Sequence, residues 1–324
     1  MKPFLVSLLF VLLSAGLSLQ AQVVNFSIFK ITVYQQAGPA PPTAPDTPNA
    51  YYFGAQLNTT NSEGYVDVYF NGPEDSEFLS EGTPFYFSYG SPYYPDKPSF
   101  DAVYPSGEYD FYVDYTNVTQ DGSVIVPVQE FYATNVAAFT TNCWYAMQQV
   151  DPAQDFTLNW NCFVPPINTT TAYTFIDIYD ENAGTEPFAA DFLAPDTMTT
   201  NIPARTLEYG MTYRINAIFS NRQDTQNAGF GGALGTVGMD KLTYTTLVTI
   251  PPWLQISGAG TNVILTWPTL ATNNFELEAS GQLSPGTVWS IVTNAPAVTG
   301  ATNALTLPAT ASSQFFRLIS FGPM

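Results

Sequence analysis

Carboxylates are the groups with which this sequence could carry out chemistry, because the chain has 27 Asp and Glu residues and no histidine. Without an imidazole, Ser-His-Asp and Cys-His triads and the common zinc sites are excluded. Two positioned carboxylates are sufficient for glycoside hydrolysis, but nothing in the sequence pairs any two of them. We therefore predict no catalytic residues, with a carboxylate-only glycoside hydrolase as the remote alternative.

Tyrosines beside carboxylates form a second group that could bind a ligand. Tyr93 and Tyr94 fall in a Pro-rich loop, and Tyr112 shares one strand face with Asp110 and Asp114. An exposed tyrosine ring can stack on the CH groups of a sugar while carboxylates accept hydrogen bonds from its hydroxyls. These five residues are predicted carbohydrate contacts. The alternatives are that they line a module interface or simply belong to a β-rich surface.

A cluster of acidic residues could hold calcium, which prefers oxygen ligands on loops. Asp177, Asp180 and Glu181 lie at the end of a predicted strand and its turn. They do not match an EF-hand loop, and acidic turns are commonly just solvated. Calcium is thus a possible ligand here, and no other cofactor is predicted.

The net charge of −19 limits the partners. A strongly acidic chain cannot neutralise phosphates or be attracted to anionic lipid, so nucleic acid and anionic membranes are not expected partners. An extracellular polysaccharide or another surface protein is compatible with this charge.

The first residues have the features of a secretory signal peptide. Lys2 precedes an apolar run from Phe4 to Leu13, and small residues before Gln22 predict cleavage after Ala21. The run is too short to span a bilayer comfortably. We expect a secreted, cell-surface or periplasmic protein with no membrane span in the mature chain.

Alternating apolar residues predict half-buried strands. In the stretch 155–163 (DFTLNWNCF), Phe156, Leu158, Trp160 and Cys162 are predicted to share one buried face. Two cysteines in an exported chain are most simply one disulfide, so Cys162 is predicted to pair with Cys143. Two separate buried thiols are the alternative.

The same alternation occurs in the stretch 109–115 (YDFYVDY). It predicts that Tyr109, Phe111, Val113 and Tyr115 point away from Tyr112 and its acidic neighbours.

Short strands separated by Gly- and Pro-rich turns predict an all-β fold of tandem antiparallel β-sandwich modules. A tyrosine- and acid-rich sandwich is expected at 22–135, a second sandwich at 136–249 and a small C-terminal module at 250–324. Pro251 and Pro252 are predicted to form a stiff linker.

Two segments resemble known modules. Leu207, Gly210 and Tyr213, leading directly into a strand, resemble the tyrosine corner of fibronectin type III and immunoglobulin-like sandwiches, which implies that the Tyr213 hydroxyl bonds back to the preceding chain. The C-terminal segment 253–321, with NVILTWP, FELEAS, VWSIVT and FFRL, resembles a small fibronectin-like module of exported bacterial proteins that has no assigned activity. The chain as a whole is similar to multi-module exported bacterial β-sandwich proteins.

The features taken together predict an exported, non-enzymatic structural or adhesive protein that displays β-sandwich modules. A carbohydrate-binding protein that uses the exposed tyrosines of the first module is the alternative.

Overall fold

The computed structural model describes residues 23–60, 65–74, 76–83, 85–115, 118–167, 169–227, 230–271, 275–310 and 313–320. The predicted signal peptide, with its cleavage site between Ala21 and Gln22, lies outside the described residues. No helix in the described ranges is long and apolar enough to cross a membrane.

Strands make up most of the described chain. In chain order they are β1 (Val23–Gln35), β2 (Tyr51–Thr59), β3 (Tyr65–Asn71), β4 (Ser76–Phe78), β5 (Ser80–Thr83), β6 (Tyr86–Gly90), β7 (Gly107–Tyr115), β8 (Thr119–Val126), β9 (Phe156–Asn159), β10 (Thr171–Asp180), β11 (Thr185–Leu193), β12 (Thr199–Ile202), β13 (Thr212–Asn227), β14 (Ala233–Val248), β15 (Gln255–Ala259), β16 (Asn262–Pro268), β17 (Phe275–Ser280), β18 (Ser290–Ile291), β19 (Ala297–Thr299), β20 (Thr302–Pro308) and β21 (Phe315–Ser320). Two short α-helices, α1 (Lys97–Val103) and α2 (Thr141–Ala146), and 3-10 turns at Met147–Gln149 and Thr269–Ala271 complete the list.

One eight-stranded sheet dominates the fold, in the order β11-β10-β13-β14-β1-β2-β6-β5. Its neighbouring strands are antiparallel except for β1 and β14, which run parallel from Asn25 opposite Leu234 to Gln35 opposite Tyr244. This ladder joins the first strand of the predicted first module to the last strand of the predicted second module. The two segments therefore share one sheet, and the module boundaries at 135/136 and 249/250 stay predictions.

Two smaller sheets cover different halves of one face of the large sheet. The four-stranded sheet β4-β3-β7-β8 encloses an aromatic core, and the two-stranded sheet β12-β9 encloses a second core together with α2. The C-terminal strands form a separate pair of sheets, β15-β16-β20-β19 and β18-β17-β21, around Leu265, Trp267 and Leu277. These sheets confirm the predicted all-β class with antiparallel sandwich packing.

The aromatic core lies between β2 of the large sheet and β3 and β7 of the four-stranded sheet. Phe53 stacks on Tyr104 with ring centres 4.2 Å apart, and Phe70 and Tyr109 pack against it. The alternation predicted for β7 is confirmed, because its four inward residues are buried: Tyr109, Phe111, Val113 and Tyr115. Such rings bury large apolar areas, which makes them a major contribution to the stability of this half.

The second core confirms that Leu158 and Trp160 face inward, where they pack with Tyr213, Ile215 and Phe219 of β13. The hydroxyl of Tyr213 accepts a hydrogen bond from the backbone N–H of Glu208 at 2.9 Å. This contact has the form that the tyrosine corner implies, in which the chain before a strand is tied to its start.

The structure also explains the two other residues of the tyrosine-corner motif, Leu207 and Gly210. Leu207 is buried in the second core. Gly210 has φ +70°, a conformation that favours glycine, and a Cβ atom there would lie 2.6 Å from Cζ of Phe275. Gly210 thus permits the chain to turn where the C-terminal strands contact the second sandwich.

The predicted Cys143–Cys162 disulfide is wrong. Cys143 is buried in α2, where its sulfur accepts a hydrogen bond from the Asn159 N–H at 3.3 Å, whereas Cys162 is exposed and both thiols are free. The alternation of β9 ends before Cys162, because Phe163 takes the next buried position after Trp160. The extra residue turns Cys162 towards solvent.

Candidate functional site

The outer face of the four-stranded sheet carries an aromatic strip formed by Phe78, Tyr69 and Tyr112. Tyr69 of β3 lies opposite Tyr112 of β7 on one side and opposite Phe78 of β4 on the other. The Tyr69 and Tyr112 rings are stacked with centres 5.0 Å apart and planes 14° apart, and Tyr69 and Phe78 are 5.7 Å apart. Because side chains alternate along each strand, the buried neighbours of these residues hold the strip on the solvent side.

Four carboxylates border the strip: Asp67, Asp110, Asp114 and Asp121. Asp67 lies opposite Asp114, and Asp121 lies opposite Tyr112. Partial burial, followed by the charges of Glu108 and Asp121, raises the pKa of Asp110. Partial burial, followed by the charge of Asp114, also raises the pKa of the Tyr69 hydroxyl, which therefore stays protonated and available as a donor.

The predicted carbohydrate contacts are only partly together. Tyr112, Asp110 and Asp114 share the strip, but Tyr93 and Tyr94 are elsewhere. Tyr94 pairs through its backbone with Tyr51, and its ring packs at the edge of the aromatic core. Tyr93 is exposed, with its ring 5.2 Å from that of Tyr52 on the outer face of the eight-stranded sheet. The Pro-rich loop therefore separates these two tyrosines from Tyr112.

Four members of the surface are absent from the prediction: Asp67, Tyr69, Phe78 and Asp121. The alternation of β3 contains a signal for two of them, since Val68 and Phe70 are buried and their neighbours must face outward. The pairing of β3 with β7, which brings Tyr69 onto Tyr112, is a long-range contact that local alternation does not encode.

The predicted calcium residues do not converge. Asp180 is buried and accepts hydrogen bonds from the N–H groups of Asn182 and Ala183, which close its turn. Asp177 lies on the opposite face of β10, where Asn216 donates to it, and burial raises its pKa to about 6. Glu181 is exposed and pairs with Arg214 at 3.4 Å. Among the described residues no group of three or more His, Cys, Asp or Glu could hold a metal ion.

When the chain is compared with known proteins, it shows similarity to solved structures, but no family model and no curated protein matches it. The FN1–FN3 domains of chicken CNTN1 align at 10% identity over 83% of this chain and 89% of that chain, with a TM-score of 0.20. The BSP domain of a biofilm associated protein aligns at 10% identity over 72% of this chain and 29% of that chain, with a TM-score of 0.19.

A 1.5-MDa bacterial ice-binding adhesin aligns at 10% identity over 88% of this chain and 87% of the compared chain, with a TM-score of 0.20. Scores this low do not carry an argument about function. The fold assignment therefore rests on the sheets and cores described above.

Proposed function

We propose that this chain is an exported, non-enzymatic structural or adhesive protein, and that the aromatic strip is its adhesive surface for a neutral extracellular polysaccharide. The observation that carries the proposal is the stacked pair of Tyr69 and Tyr112 on the solvent face of a sheet, bordered by carboxylates.

The chemistry of the strip suits a neutral sugar chain. Because the two rings are stacked, each covers one face of the other, and the pair offers the far face of Tyr112 and the ring edges to the CH groups of sugar units. This contact needs no specific charge. Asp67, Asp110 and Asp114 can accept hydrogen bonds from sugar hydroxyls beside the rings. The same carboxylates would repel an anionic polysaccharide, which makes neutral polymers the preferred ligands.

The scaffold beneath the strip suits an adhesive role. Tyr112 is part of β7, whose inward residues are fixed in the aromatic core, so the ring starts from a restrained position and binding costs less conformational entropy. We favour binding over catalysis because the carboxylates border an exposed surface, whereas glycoside hydrolysis needs two carboxylates flanking one scissile bond.

Adsorption of the full chain to insoluble cellulose, chitin and xylan tests the proposal. We expect retention on at least one of these polymers and a loss of about tenfold in affinity for Tyr112→Ala, because the stacking contact and its buried ring area are removed. Tyr145→Ala is the matched control, since Tyr145 is an exposed tyrosine on α2, away from the strip.

Two results would contradict the proposal: no retention on any neutral polymer of a broad panel, or equal losses for Tyr112→Ala and Tyr145→Ala. Release of reducing sugar by the full chain would contradict the non-enzymatic role. Retention on another surface protein but not on any glycan would move the adhesive role to a protein partner.

A further inference from the structure

The outer face of the eight-stranded sheet contains a groove of about 450 Å³ that is separate from the predicted sites. We call it the Arg222 groove, and it lies on the opposite side of the first sandwich from the aromatic strip. This volume is in the range of known small-molecule binding sites. Residues of β1, β2, β10, β11, β13 and β14 line the groove.

Aromatic rings surround the guanidinium group of Arg222. Its Cζ atom lies 5.2 Å from the ring centre of Phe29, 5.3 Å from that of Phe175 and 5.8 Å from that of Phe192. The Tyr173 ring is 5.7 Å away. Cation–π contacts of this kind restrain a planar guanidinium without consuming its terminal N–H donors.

Two backbone features support this arrangement. Phe192, on the edge strand β11, has φ +52°, an uncommon conformation for a bulky residue, and its ring reaches Arg222. Gly238 lies between Phe29 and Arg222 in the sheet, and a Cβ atom there would lie 2.3 Å from Cδ1 of Phe29. Glycine thus permits the Phe29 ring to lie over the sheet beside Arg222.

The hydrogen-bonding capacity of Arg222 is largely unused. Its Nε–H donates to Ser220 Oγ at 3.3 Å, and within the described ranges its terminal nitrogens form no ion pair. The carboxylate of Asp224, two residues after Arg222, accepts hydrogen bonds from the hydroxyls of Thr236 at 2.7 Å and Thr171 at 3.3 Å. The protein therefore satisfies Asp224 with hydroxyls. The charge of Arg222 partly offsets the burial of Asp240, but within the described ranges the two groups form no ion pair, so the terminal N–H donors of Arg222 are left for a ligand.

Apart from Asp191 of β11, which forms no ion pair with Arg222 within the described ranges, uncharged polar groups line the rest of the groove. Asn25, Ser27, Gln56, Asn58 and Thr236 belong to adjacent strands β14, β1 and β2, and the register places Ser27 between Thr236 and Gln56. Asn58 donates to Asn25 at 2.8 Å, which leaves other donor and acceptor positions of the two amides free to bond a ligand. Hydroxyl and amide groups beside phenyl rings suit a polyhydroxylated ligand.

We propose that the Arg222 groove binds a uronic acid unit, that is, a sugar carrying a carboxylate. Arg222 receives the carboxylate in a bidentate contact, Phe29 and Phe192 pack on the sugar ring, and the amides and hydroxyls bond its OH groups. This site does not rest on the aromatic strip, and its ligand has the charge that the strip would repel.

Calorimetric titration of the full chain with trigalacturonic acid at 0.15 M salt tests the proposal. This ionic strength screens the net charge of −19 beyond about 8 Å, so the local contact decides the affinity. We expect binding of trigalacturonic acid and at least tenfold weaker binding of the carboxyl-reduced trisaccharide, since hydrogen bonds to charged groups are the strong ones.

The variants separate the groove from the rest of the chain. Arg222→Met should weaken binding about tenfold or more, and Arg222→Lys should weaken it severalfold, because lysine keeps the charge but loses the planar fork. Arg214→Met is the matched control: Arg214 is on the same strand and lies over the Tyr244 ring, but it is outside the groove. Tyr112→Ala should leave this binding unchanged.

The proposal is overturned if the wild-type chain does not bind trigalacturonic acid at millimolar concentration, or if the reduced trisaccharide binds as well. Equal affinities for the wild-type chain and a folded Arg222→Lys or Arg222→Met variant would also overturn it. Circular dichroism shows whether each variant is folded. If Arg222→Met does not fold, Arg222→Lys, which keeps a cation among the rings, serves as the test variant.

Discussion

Removal of the Asp101 carboxylate should destabilise the first sandwich strongly, because the buried ammonium group of Lys30 would lose its ion-pair partner. Lys30 of β1 is 2% exposed, and its Nζ donates to Asp101 Oδ1 at 2.7 Å and to the Tyr104 carbonyl at 3.0 Å. The Phe100 ring also faces this ammonium group, with its centre 4.9 Å from Nζ. Breaking a buried pair by removing one partner costs about 3–5 kcal/mol.

We expect Asp101→Ala to lower the free energy of unfolding of this sandwich by about 3 kcal/mol, at the lower end of that range, because the Asp101 side chain is 34% exposed and water can replace part of the contact. Lys30→Met should cost less than about 1 kcal/mol, since an apolar chain of similar length removes the desolvated charge. The double variant Lys30→Met/Asp101→Ala should recover most of the loss seen in Asp101→Ala.

The pH dependence of the free energy of unfolding tests the Lys30–Asp101 ion pair independently. Burial alone would raise the pKa of Asp101, but the hydrogen bonds and charges of Lys30 and Lys97 outweigh it and hold the pKa below its usual value. A carboxyl with a depressed pKa stabilises the folded state above the pKa of the unfolded chain and loses this effect as the pH falls through its folded pKa. The cost of Asp101→Ala should thus be complete at pH 7 and shrink below about pH 4.

Hydrogen–deuterium exchange in a urea series is the suitable assay, because all five tryptophans lie outside the first sandwich, from Trp144 onward. Peptides from β1 and β7 report the local free energy of unfolding. A change of less than about 0.5 kcal/mol for Asp101→Ala, or an equal cost for Lys30→Met and Asp101→Ala, would contradict the predicted role of the buried ion pair.

Three further outcomes can be checked on the full chain. Tyr213→Phe should lower the denaturation free energy of the second sandwich by about 1 kcal/mol in tryptophan-monitored urea unfolding, because the Glu208 N–H loses its acceptor, and an unchanged midpoint would argue against the corner contact. Burial raises the pKa of Asp240 to about 6, so the ionised carboxylate destabilises the folded state at pH values above the pKa of the unfolded chain. Asp240→Asn should therefore stabilise the protein by about 2 kcal/mol at pH 7.5 and by far less at pH 4. Equal effects at the two pH values would contradict the raised pKa. Iodoacetamide should label Cys162 in the native protein and Cys143 only after denaturation, whereas resistance of both thiols until a reductant is added would restore the disulfide.

Local patterns were sufficient to predict the strand faces. The alternation of β7 gives both the buried Tyr109 and the outward Tyr112, because side-chain direction in a strand depends only on position. The same rule failed at Cys162, since it holds only while the chain remains extended, and the strand ends at Asn159. One additional residue before Phe163 reverses which side chain is buried.

Long-range pairing could not be predicted from local patterns. The parallel ladder between β1 and β14 joins segments about two hundred residues apart. The Arg222 groove depends on this ladder, because it places Phe29 next to Gly238 of β14, whose other neighbour is Arg222 of β13. Arg222 itself is an ordinary polar residue of a polar stretch in the sequence. Its role depends on rings contributed by β1, β10 and β11, which no local periodicity links.

The adsorption isotherm of the full chain on neutral polysaccharide, compared with that of Tyr112→Ala, tests the proposed function most directly. The stacked strip predicts saturable binding by the wild-type chain and an affinity about tenfold lower for Tyr112→Ala, with the Tyr145→Ala control at the wild-type value. Identical isotherms for all three proteins, or no adsorption by any of them, would contradict it.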